Sequence, residues 1–596
     1  MSAQPQSDAP PRRIRVREDD WSQLVSVFSS FKEKHERMIA SFDEALATME
    51  QANSRLNSEN ERLHAALQTA RKQRDDLQRG MDRMSTFGKV LGPVLEVPDL
   101  LTADAKTLAT GLRNGAFTSV NLVLRCCSAI NAHEENLHAM LSMVPFDQLR
   151  ERAEALDKER KEGKVWGPLH GIPIVIKDNI ATVPELGMET TCGSWALDGM
   201  TPTSNAEISF VVTSLALHEW AYYRSNDLVS GWSGKGGQCQ SAYVRGGIDP
   251  DDSNNGHSVS LSSFTASHTN GSEPLRLLYR LSSRCLRRLR PPLHRHRTDG
   301  SLVSPASRAA LYTIKPSIGR VSQSGIIPIS HTMDSAGPMT KTPYDLAALL
   351  GVIAGTDEFA TLGGSWDELS IATIDFKKWW PGEDYLKPVG SATKQMHTEI
   401  QAAYDKIEGL AKNYVGDVPL PPPSDCFKLD GKNSEGVITM ADFKHDLNKY
   451  LESAENSKIH SLKDLIEFNK AHPDLEMPPG YDDQGLLIDA EESDLSREDY
   501  EKNLSHLQKV ARDGLDRIFK EYGVDVIVGS SDTAITAYAS GSGYPVGNVP
   551  LGYLDFNGRP FGLAVLAAKN QEAKILKFMN AWEGTFGPRK APSLLQ

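Results

Sequence analysis

One short turn constrains this chain more than any other stretch. Residues 298–308 read Thr-Asp-Gly-Ser-Leu-Val-Ser-Pro-Ala-Ser-Arg, and an apolar run compatible with a helix follows at residues 309–311. A turn of this kind leaves successive backbone N–H groups pointing one way, which creates a site for an oxyanion. Ser301 lies beside that turn and is a candidate nucleophile, provided that a base accepts its proton. The alternative is a polar turn that only begins a helix.

A candidate base lies earlier in the chain, at Lys177. Residues 172–176 form a short apolar, β-branched run bounded by Gly and Pro, a pattern typical of a buried strand. Lys177 ends this run. Burial disfavours the ammonium form, so a lysine in such a place can act as a general base, and Ser–Lys pairs are a known nucleophile–base arrangement. The alternative is a strand-end lysine whose ammonium group reaches water.

Four motifs, in this order, resemble the amidase signature family. They read Gly-Pro-Leu-His-Gly-Ile-Pro-Ile-Val-Ile-Lys-Asp-Asn at 167–179, Thr-Asp-Gly-Ser-Leu-Val-Ser-Pro-Ala-Ser at 298–307, Lys-Pro-Ser-Ile-Gly at 315–319 and Asp-Ser-Ala-Gly-Pro-Met at 334–339. The resemblance covers roughly residues 98 to 590. It implies an α/β fold, an α/β/α sandwich around a mixed sheet, and a Ser–Ser–Lys triad that hydrolyses or transfers amides.

The resemblance also assigns roles to particular residues. Lys177 matches the base and Ser301 the nucleophile of the family. The oxyanion hole matches four consecutive backbone N–H groups, those of Thr298, Asp299, Gly300 and Ser301. The relay serine between base and nucleophile should lie about two dozen residues before Ser301, where this chain has Leu277. No metal or organic cofactor is implied, and no histidine is required.

Residues 258–297 break the pattern of the rest of the chain, and residues 288–297 are rich in arginine although the whole chain is acidic. Back-translation of residues 273–297 with permitted codons, followed by removal of one base, gives Asn-Pro-Ser-Gly-Ser-Ser-Thr-Gly-Ser-Ala-Ala-Ala. This run resembles the missing family segment and places a serine at Leu277. We therefore predict a shifted reading frame here, with residues 259–272 as translated intron and a second frame correction before Thr298. The alternative is a divergent insertion loop.

The N-terminal part of the chain predicts a different kind of structure. Residues 1–18 are rich in Pro, Ser and Arg and are predicted to form a disordered tail. Residues 19–84 are charged, and apolar side chains recur every seven residues, which predicts a coiled coil that joins copies of the chain. The alternative is a single solvated helix. Residues 85–98 form a linker that contains Gly and Pro.

The amidase-like domain is predicted at residues 99–590. Its expected elements are helices at 102–112, 119–133 and 145–162, strands at 172–176 and 326–329, a helix from 343, a strand at 371–374, a charged, helical and variable insertion at 396–522, and closing strands at 525–529, 542–552 and 558–563. The variable insertion is the region expected to shape the substrate pocket, so the substrate cannot be identified from the sequence.

Composition narrows the class of protein. The chain has 596 residues, 39% of them hydrophobic, and a net charge of −13, which is typical of a folded globular protein and argues against nucleic acid as a partner. Its six cysteines form no CxxC pair, so reduced thiols are expected. No apolar run approaches a membrane span, and the N-terminus has no apolar signal core. We therefore predict a cytoplasmic protein that binds no membrane.

The function predicted from these features is the hydrolysis of a small-molecule carboxylic amide through a serine acyl-enzyme. Because the relay serine is missing, the activity of this chain is expected to be impaired. One alternative is an inactive amidase fold that serves as a coiled-coil scaffold. The other is a protein similar to the A subunit of an amidotransferase that supplies ammonia to mischarged tRNA.

Overall fold

A computed structural model describes residues 97–207, 213–214, 224, 232–239, 241–244, 300–360, 363–380 and 389–595. The chain divides into two units, Met1–Val94 and Leu95–Gln596. The predicted tail and coiled coil lie outside the described residues. So do nearly all of the linker, the aberrant segment 258–297 with Leu277, and two of the four oxyanion-hole residues, Thr298 and Asp299.

The strands of the described residues differ greatly in length. In chain order they are β1 (Val175–Ile176), β2 (Thr213–Ser214), β3 (Trp232–Ser233), β4 (Gly237–Gln238), β5 (Tyr312–Lys315), β6 (Met339–Thr340), β7 (Ser370–Thr373), β8 (Asn413–Val415), β9 (Lys428–Leu429), β10 (Lys432–Asn433), β11 (Val526–Ser530), β12 (Val546–Tyr553) and β13 (Pro560–Ala567).

The helices surround these strands. They are α1 (Ala105–Arg113), α2 (Ser119–Leu137), α3 (Phe146–Lys161), α4 (Val303–Arg308), α5 (Pro343–Ala354), α6 (Gly390–Glu408), α7 (Pro423–Cys426), α8 (Ser434–Ser453), α9 (Leu462–Ala471), α10 (Pro473–Glu476), α11 (Gly485–Glu492), α12 (Arg497–Tyr522), α13 (Ile535–Ser542) and α14 (Glu572–Phe586). None of the described helices is both long enough and apolar enough to cross a bilayer.

Seven strands form one mixed sheet in the order β6-β5-β12-β13-β11-β7-β8. β11 pairs in parallel with β7, and β7 with β8, whereas the other neighbouring strands are antiparallel. The register between β12 and β13 shifts between Pro550 and Gly552, which marks a bulge. All eight residues of β13 are buried, as expected for a central strand covered on both faces.

Apolar side chains alternate between the two faces of this sheet. In β11, Val526 and Val528 join a core cluster that includes Phe578 of α14, whereas Ile527 joins a second cluster with Leu515 of α12. The first cluster also takes residues from α5 and α6, and the second from α4 and α13. Because successive side chains of a strand point to opposite faces, helices cover both faces of the sheet. The chain therefore has an α/β fold with a mixed sheet.

The predicted helices before the Lys177 strand are present as α1, α2 and α3. Thr118 and Asn121 form a capping box at the start of α2. The Asp157 carboxylate of α3 also accepts hydrogen bonds from the first N–H groups of α2, at 2.8 Å from Ser119 and 3.3 Å from Val120. A carboxylate at a helix N-terminus is stabilising, so this contact fixes α2 against α3.

The region predicted as a variable insertion is helical, but part of it belongs to the sheet. α6 contributes to the first core cluster, and β8 is one of the two edge strands of the large sheet. α12 contributes four buried residues to the second core cluster. The helices α8, α9 and α11 instead form a cluster of their own with residues 192–200. Of these helices, α8 also reaches the second core cluster through Ile438, whereas α9 and α11 contribute to their own cluster alone.

Two predicted strands need correction. Of residues 172–176, only Val175 and Ile176 are extended in β1, and Val175 is 47% exposed. Residues 326–329 form no strand: Ile326 makes only an isolated bridge with Ile180. Both runs are apolar and β-branched, and such runs resemble strands whether or not a neighbouring strand extends the pairing.

Candidate active site

The turn at Gly300 leads directly into α4. Gly300 is buried and Ser301 is half-buried. The N–H of Ser304 donates to the Gly300 carbonyl at 2.9 Å, which closes the first turn of the helix. Ser301 therefore lies just before a helix N-terminus, where backbone N–H groups favour negative charge. This local geometry suits a nucleophile whose attack on a carbonyl gives a tetrahedral intermediate with a negatively charged oxygen.

The far end of α4 is fixed by a buried ion pair. Arg308 pairs with Asp532, and Arg559 lies 3.7 Å from the other oxygen of the same carboxylate. Burial raises the pKa of Asp532, and the Arg308 guanidinium acts in the opposite direction. Removing one partner of such a pair leaves an uncompensated buried charge, so these side chains hold α4, and with it the Ser301 turn, on the sheet.

Lys177 is half-buried and follows β1 directly. The next residue, Asp178, is buried and holds a second loop. Its Oδ2 accepts hydrogen bonds from the Thr191 hydroxyl at 2.7 Å and from the Gly193 N–H at 2.9 Å. Burial raises the pKa of Asp178 to about 6, although these hydrogen bonds and the charge of Lys235 lower it. Asp178 thereby positions the segment that carries Lys177.

Residues 325–338, which we call the site loop, contact both the Lys177 segment and the Ser301 turn. At one end the Ala181 N–H donates to the Gly325 carbonyl and the Ile327 N–H donates to the Asn179 carbonyl, both at 2.8 Å. At the other end Gly337 lies so close to Leu302 that an added Cβ would be 2.9 Å from the Leu302 side chain. One loop thus contacts residues next to both predicted catalytic groups.

Asp334 lies in the middle of the site loop. Its Oδ2 accepts backbone hydrogen bonds from Ile329 at 2.7 Å and Ser330 at 3.0 Å. Burial raises the pKa of Asp334 to about 6, and the positive charges of Lys315 and Lys177 act against that shift. The structure therefore places a carboxyl group within electrostatic reach of Lys177, inside the Asp-Ser-Ala-Gly-Pro-Met motif.

Sequence reasoning missed a glutamate that supports the site from a distance. Glu476 of α10 is fully buried, and its Oε1 accepts hydrogen bonds from the Ser194 hydroxyl at 2.8 Å and from the Trp195 N–H at 2.5 Å. The Trp195 indole donates to the Gly234 carbonyl at 2.9 Å. No local signal marks Glu476 in the sequence, because its partners lie far away in the chain.

Comparison with known proteins shows the family of this chain. The family model described as Amidase matches residues 121–215 and 297–537, more than half of the chain. A probable amidase of Arabidopsis thaliana is 28% identical over 493 residues, which cover 80% of this chain and 89% of that protein. The A subunit of a glutamyl-tRNA(Gln) amidotransferase from Lysinibacillus sphaericus is 25% identical, with 81% and 96% covered.

The crystal structure of a peptide amidase from Stenotrophomonas maltophilia is also similar. It superposes with a TM-score of 0.64 at 27% identity, and the match covers 83% of this chain and 99% of that one. The chain therefore belongs to the amidase family, whose members are enzymes that hydrolyse amide bonds.

Proposed function

We propose that this protein hydrolyses a linear carboxylic amide through an acyl-enzyme on Ser301. Lys177 takes the proton of Ser301 through a relay serine, the residue that the shifted reading frame places at position 277, and the Ser301 oxygen attacks the amide carbonyl. The backbone N–H groups of Thr298, Asp299, Gly300 and Ser301 stabilise the oxyanion. The amine leaves with the returned proton, and water then hydrolyses the ester of Ser301.

The observation that supports this proposal is the site loop. It contacts the segment after Lys177 and the residue after Ser301, and it places Asp334 within electrostatic reach of Lys177. A base and a nucleophile that come from distant parts of the chain must be brought together by the fold before they can act as one unit.

We further propose that residues 258–297 result from a shifted reading frame and that the chain is impaired for that reason. The two ranges matched by the family model leave residues 216–296 between them, and this interval contains Leu277 and most of the aberrant segment. Because the members of a nucleophile–base unit act together, loss of the relay serine removes most of the rate enhancement.

The test is release of ammonia or amine from a panel of aryl amides and peptide amides by the full chain. Because the relay serine must be present for this comparison, it is made in a chain in which residues 259–272 are removed and residues 273–297 carry the shifted translation. In that chain Ser301→Ala should lower kcat/KM by at least about 10³-fold. Ser304→Ala removes a hydroxyl one helical turn further on and serves as the matched control, with an expected change of less than about threefold. Turnover by the Ser301→Ala variant at the level of its parent chain would contradict the role of Ser301.

Complete inactivity of the full chain would favour the scaffold alternative for the protein in this form. Sequencing the transcript across codons 250 to 305 then decides whether Leu277 is real. A transcript that encodes Asn-Pro-Ser-Gly-Ser-Ser-Thr-Gly-Ser in this interval supports an active Ser–Ser–Lys amidase. A transcript that encodes the arginine-rich segment contradicts the frame shift.

The amidotransferase alternative depends on partner subunits, so purification of the tagged protein with no stoichiometric partner would count against it. Self-association through residues 19–84 is proposed separately. A dimer or higher oligomer in light scattering that becomes a monomer after removal of residues 1–84 would support it.

A further inference from the structure

A second group of ionisable side chains joins the site loop to α8. His331 lies on the site loop, three residues before Asp334, while His445 and Asp446 lie on α8. The Nδ1 of His331 is 2.8 Å from Asp446 Oδ2, and the Nδ1 of His445 is 2.9 Å from Asp446 Oδ1. Two imidazoles from distant segments therefore converge on one carboxylate.

The distances within this group suit a metal ion. One ligand atom from each of His331, His445 and Asp446 can be chosen so that all three lie within 4.8 Å of one another. In a tetrahedral zinc site, ligand atoms roughly 2.0–2.2 Å from the metal are roughly 3.3–3.6 Å apart. The ligand atoms of this group lie within 4.8 Å of one another, and small rotations of the side chains would bring them to the separations of a zinc site.

A second carboxylate of α8, which is buried, holds His331 and its neighbours on the site loop in place. Asp442 lies one turn before Asp446, and its Oδ1 is 3.6 Å from His331 Nδ1. Its two oxygens also accept hydrogen bonds from Tyr500, Ser330 and Thr332 at 2.5 to 2.7 Å. Partners of this kind orient the first ligands of a metal site and add negative charge beside it.

The backbone adds a further constraint on the loop. The N–H of His331 donates to Asp446 Oδ2 at 2.8 Å, so both the backbone and the side chain of His331 contact α8. The His331 and His445 side chains are 57% and 71% exposed, whereas Asp446 is 9% exposed. An ion can therefore reach the imidazoles from solvent and meet a carboxylate that is already oriented.

We propose that His331, His445 and Asp446 bind one zinc ion, which clamps the site loop onto α8. Two imidazole nitrogens and a carboxylate oxygen favour Zn²⁺ over Mg²⁺ or Ca²⁺, which prefer sets of oxygen ligands. Three protein ligands leave the fourth tetrahedral position for water or for the nearby Asp442. Because the site loop also carries Asp334, the ion would stabilise the arrangement of the loop beside Lys177.

This site is separate from the proposed acyl transfer, which needs no metal. Zinc binding would exist whether or not the chain hydrolyses amides, so a failure of one proposal leaves the other intact. The expected role is structural and regulatory, because the ion joins two segments and touches neither Ser301 nor Lys177 directly.

The test is calorimetric titration of the full chain with ZnCl₂ after treatment with a chelator, with MgCl₂ as the comparison ion. The expected result is one Zn²⁺ bound per chain, no binding of Mg²⁺, and a higher unfolding temperature with zinc. His445→Ala should weaken zinc binding at least tenfold and abolish the rise in unfolding temperature. His445 is mostly exposed, so this variant should fold as the unmodified chain does.

His460→Ala removes an exposed histidine that lies before α9 and is the matched control, with unchanged zinc affinity expected. Asp446→Asn is the second test variant and should also weaken zinc binding at least tenfold. Absence of stoichiometric zinc binding, or equal zinc affinity in the unmodified chain and in both His445→Ala and Asp446→Asn, would overturn the proposal. The second result would show that the ion binds elsewhere, for example at cysteines.

Discussion

The large sheet and the Lys177 segment of this chain are stabilised in different ways. Every residue of β13 is buried between two layers of helices, whereas β1 has two residues and Val175 is 47% exposed. The Lys177 segment is instead held by polar contacts from other segments, those of Asp178 with residues 191–193 and those of the site loop. Apolar burial supports the scaffold, and polar contacts place the candidate base.

This difference has a physical consequence. Apolar burial is non-directional and spread over many contacts, so the sheet does not depend on any single polar partner. A hydrogen-bonded loop depends on a few donors and acceptors, and each one left unpaired when buried costs about 1–3 kcal/mol. The Lys177 side of the molecule should therefore be more sensitive than the sheet to substitutions in the segments that contact it.

The largest expected effect concerns residues 258–297, where the relay serine is missing from the sequence. In a reframed chain, residues 259–272 are removed and residues 273–297 are replaced by the shifted translation that begins Asn-Pro-Ser-Gly-Ser-Ser. Because the relay serine is restored, amide turnover should rise by at least about 10³-fold over the unmodified chain. The measurement is kcat/KM for the best aryl amide of the panel.

The matched control is the reframed chain in which the serine that replaces Leu277 is changed to alanine. It should fold as the reframed chain does and return to the low rate. Equal rates for the reframed chain and the unmodified chain would mean that residues 258–297 do not limit activity.

The second prediction compares side-chain packing in the sheet core with side-chain packing at β1, beside Lys177. Phe578 is fully buried, and its ring packs edge-on against Trp366 and stacks on Trp582. Phe578→Ala should lower the free energy of unfolding by about 3–5 kcal/mol. Val175→Ala on β1 should change it by less than about 0.5 kcal/mol. Urea unfolding followed by tryptophan fluorescence checks both, and similar losses in the two variants would remove the contrast.

The third prediction tests the polar anchor from α10. Glu476→Ala leaves the buried Ser194 hydroxyl and the Trp195 N–H without this acceptor, which should cost about 1–3 kcal/mol. Glu476→Gln keeps a carbonyl acceptor in the same place and should cost less. Comparing the urea midpoints of the two variants separates the hydrogen bonds from the packing of the side chain. If both variants unfold at the midpoint of the unmodified chain, Glu476 is not an anchor.

Local patterns predicted most of the sheet core and its helices. The helices α1, α2, α3 and α5 and the strands β7 and β11 lie where apolar periodicity, Gly and Pro place them. The closing strands expected at residues 542–552 and 558–563 follow from the family resemblance and are present, with shifted bounds, as β12 and β13. Such elements can be predicted because the signal for each is contained in a few consecutive residues. The strand predicted at residues 326–329 is wrong, because an apolar run carries no information on whether a partner strand exists.

The site could be predicted only in part. Lys177 and Ser301 follow from motifs, but the contacts of Asp334, Glu476 and His331 depend on partners far away in sequence. His331 and Asp446 show this well: neither belongs to a metal-ligand spacing, and only the packing of α8 on the site loop brings them together. Interactions between distant segments need the fold, which local composition does not specify.

The smallest expected effect is a pH-dependent gain in the free energy of unfolding, caused by a substitution on the sheet side of the molecule. Glu583 of α14 lies near Asp104 and Asp345, and burial with these two negative charges raises its pKa to about 7. Its charge also acts on Tyr312, whose pKa is raised mainly by burial. Because the folded pKa exceeds the unfolded value of about 4.5, the folded chain binds more protons between these two pH values. The contribution of Glu583 to stability is therefore greatest below pH 4.5 and falls as the pH rises through about 7, where the ionised carboxylate destabilises the folded chain and is a cost to it.

Glu583→Gln removes this cost and should raise the free energy of unfolding at pH 8 by about 1–2 kcal/mol, a figure reduced for partial solvent exposure. At pH 5 the gain should be much smaller, because the carboxyl is then protonated in the folded chain. Glu521→Gln, at an exposed position of α12, is the control and should give the same small change at both pH values. A gain for Glu583→Gln that does not grow between pH 5 and pH 8 would show that packing, and not charge, limits stability at this place. The two carboxyls would then differ in kind. Packing would determine the effect of Glu583, whereas the buried Asp178 is held by hydrogen bonds from the Thr191 hydroxyl and the Gly193 N–H.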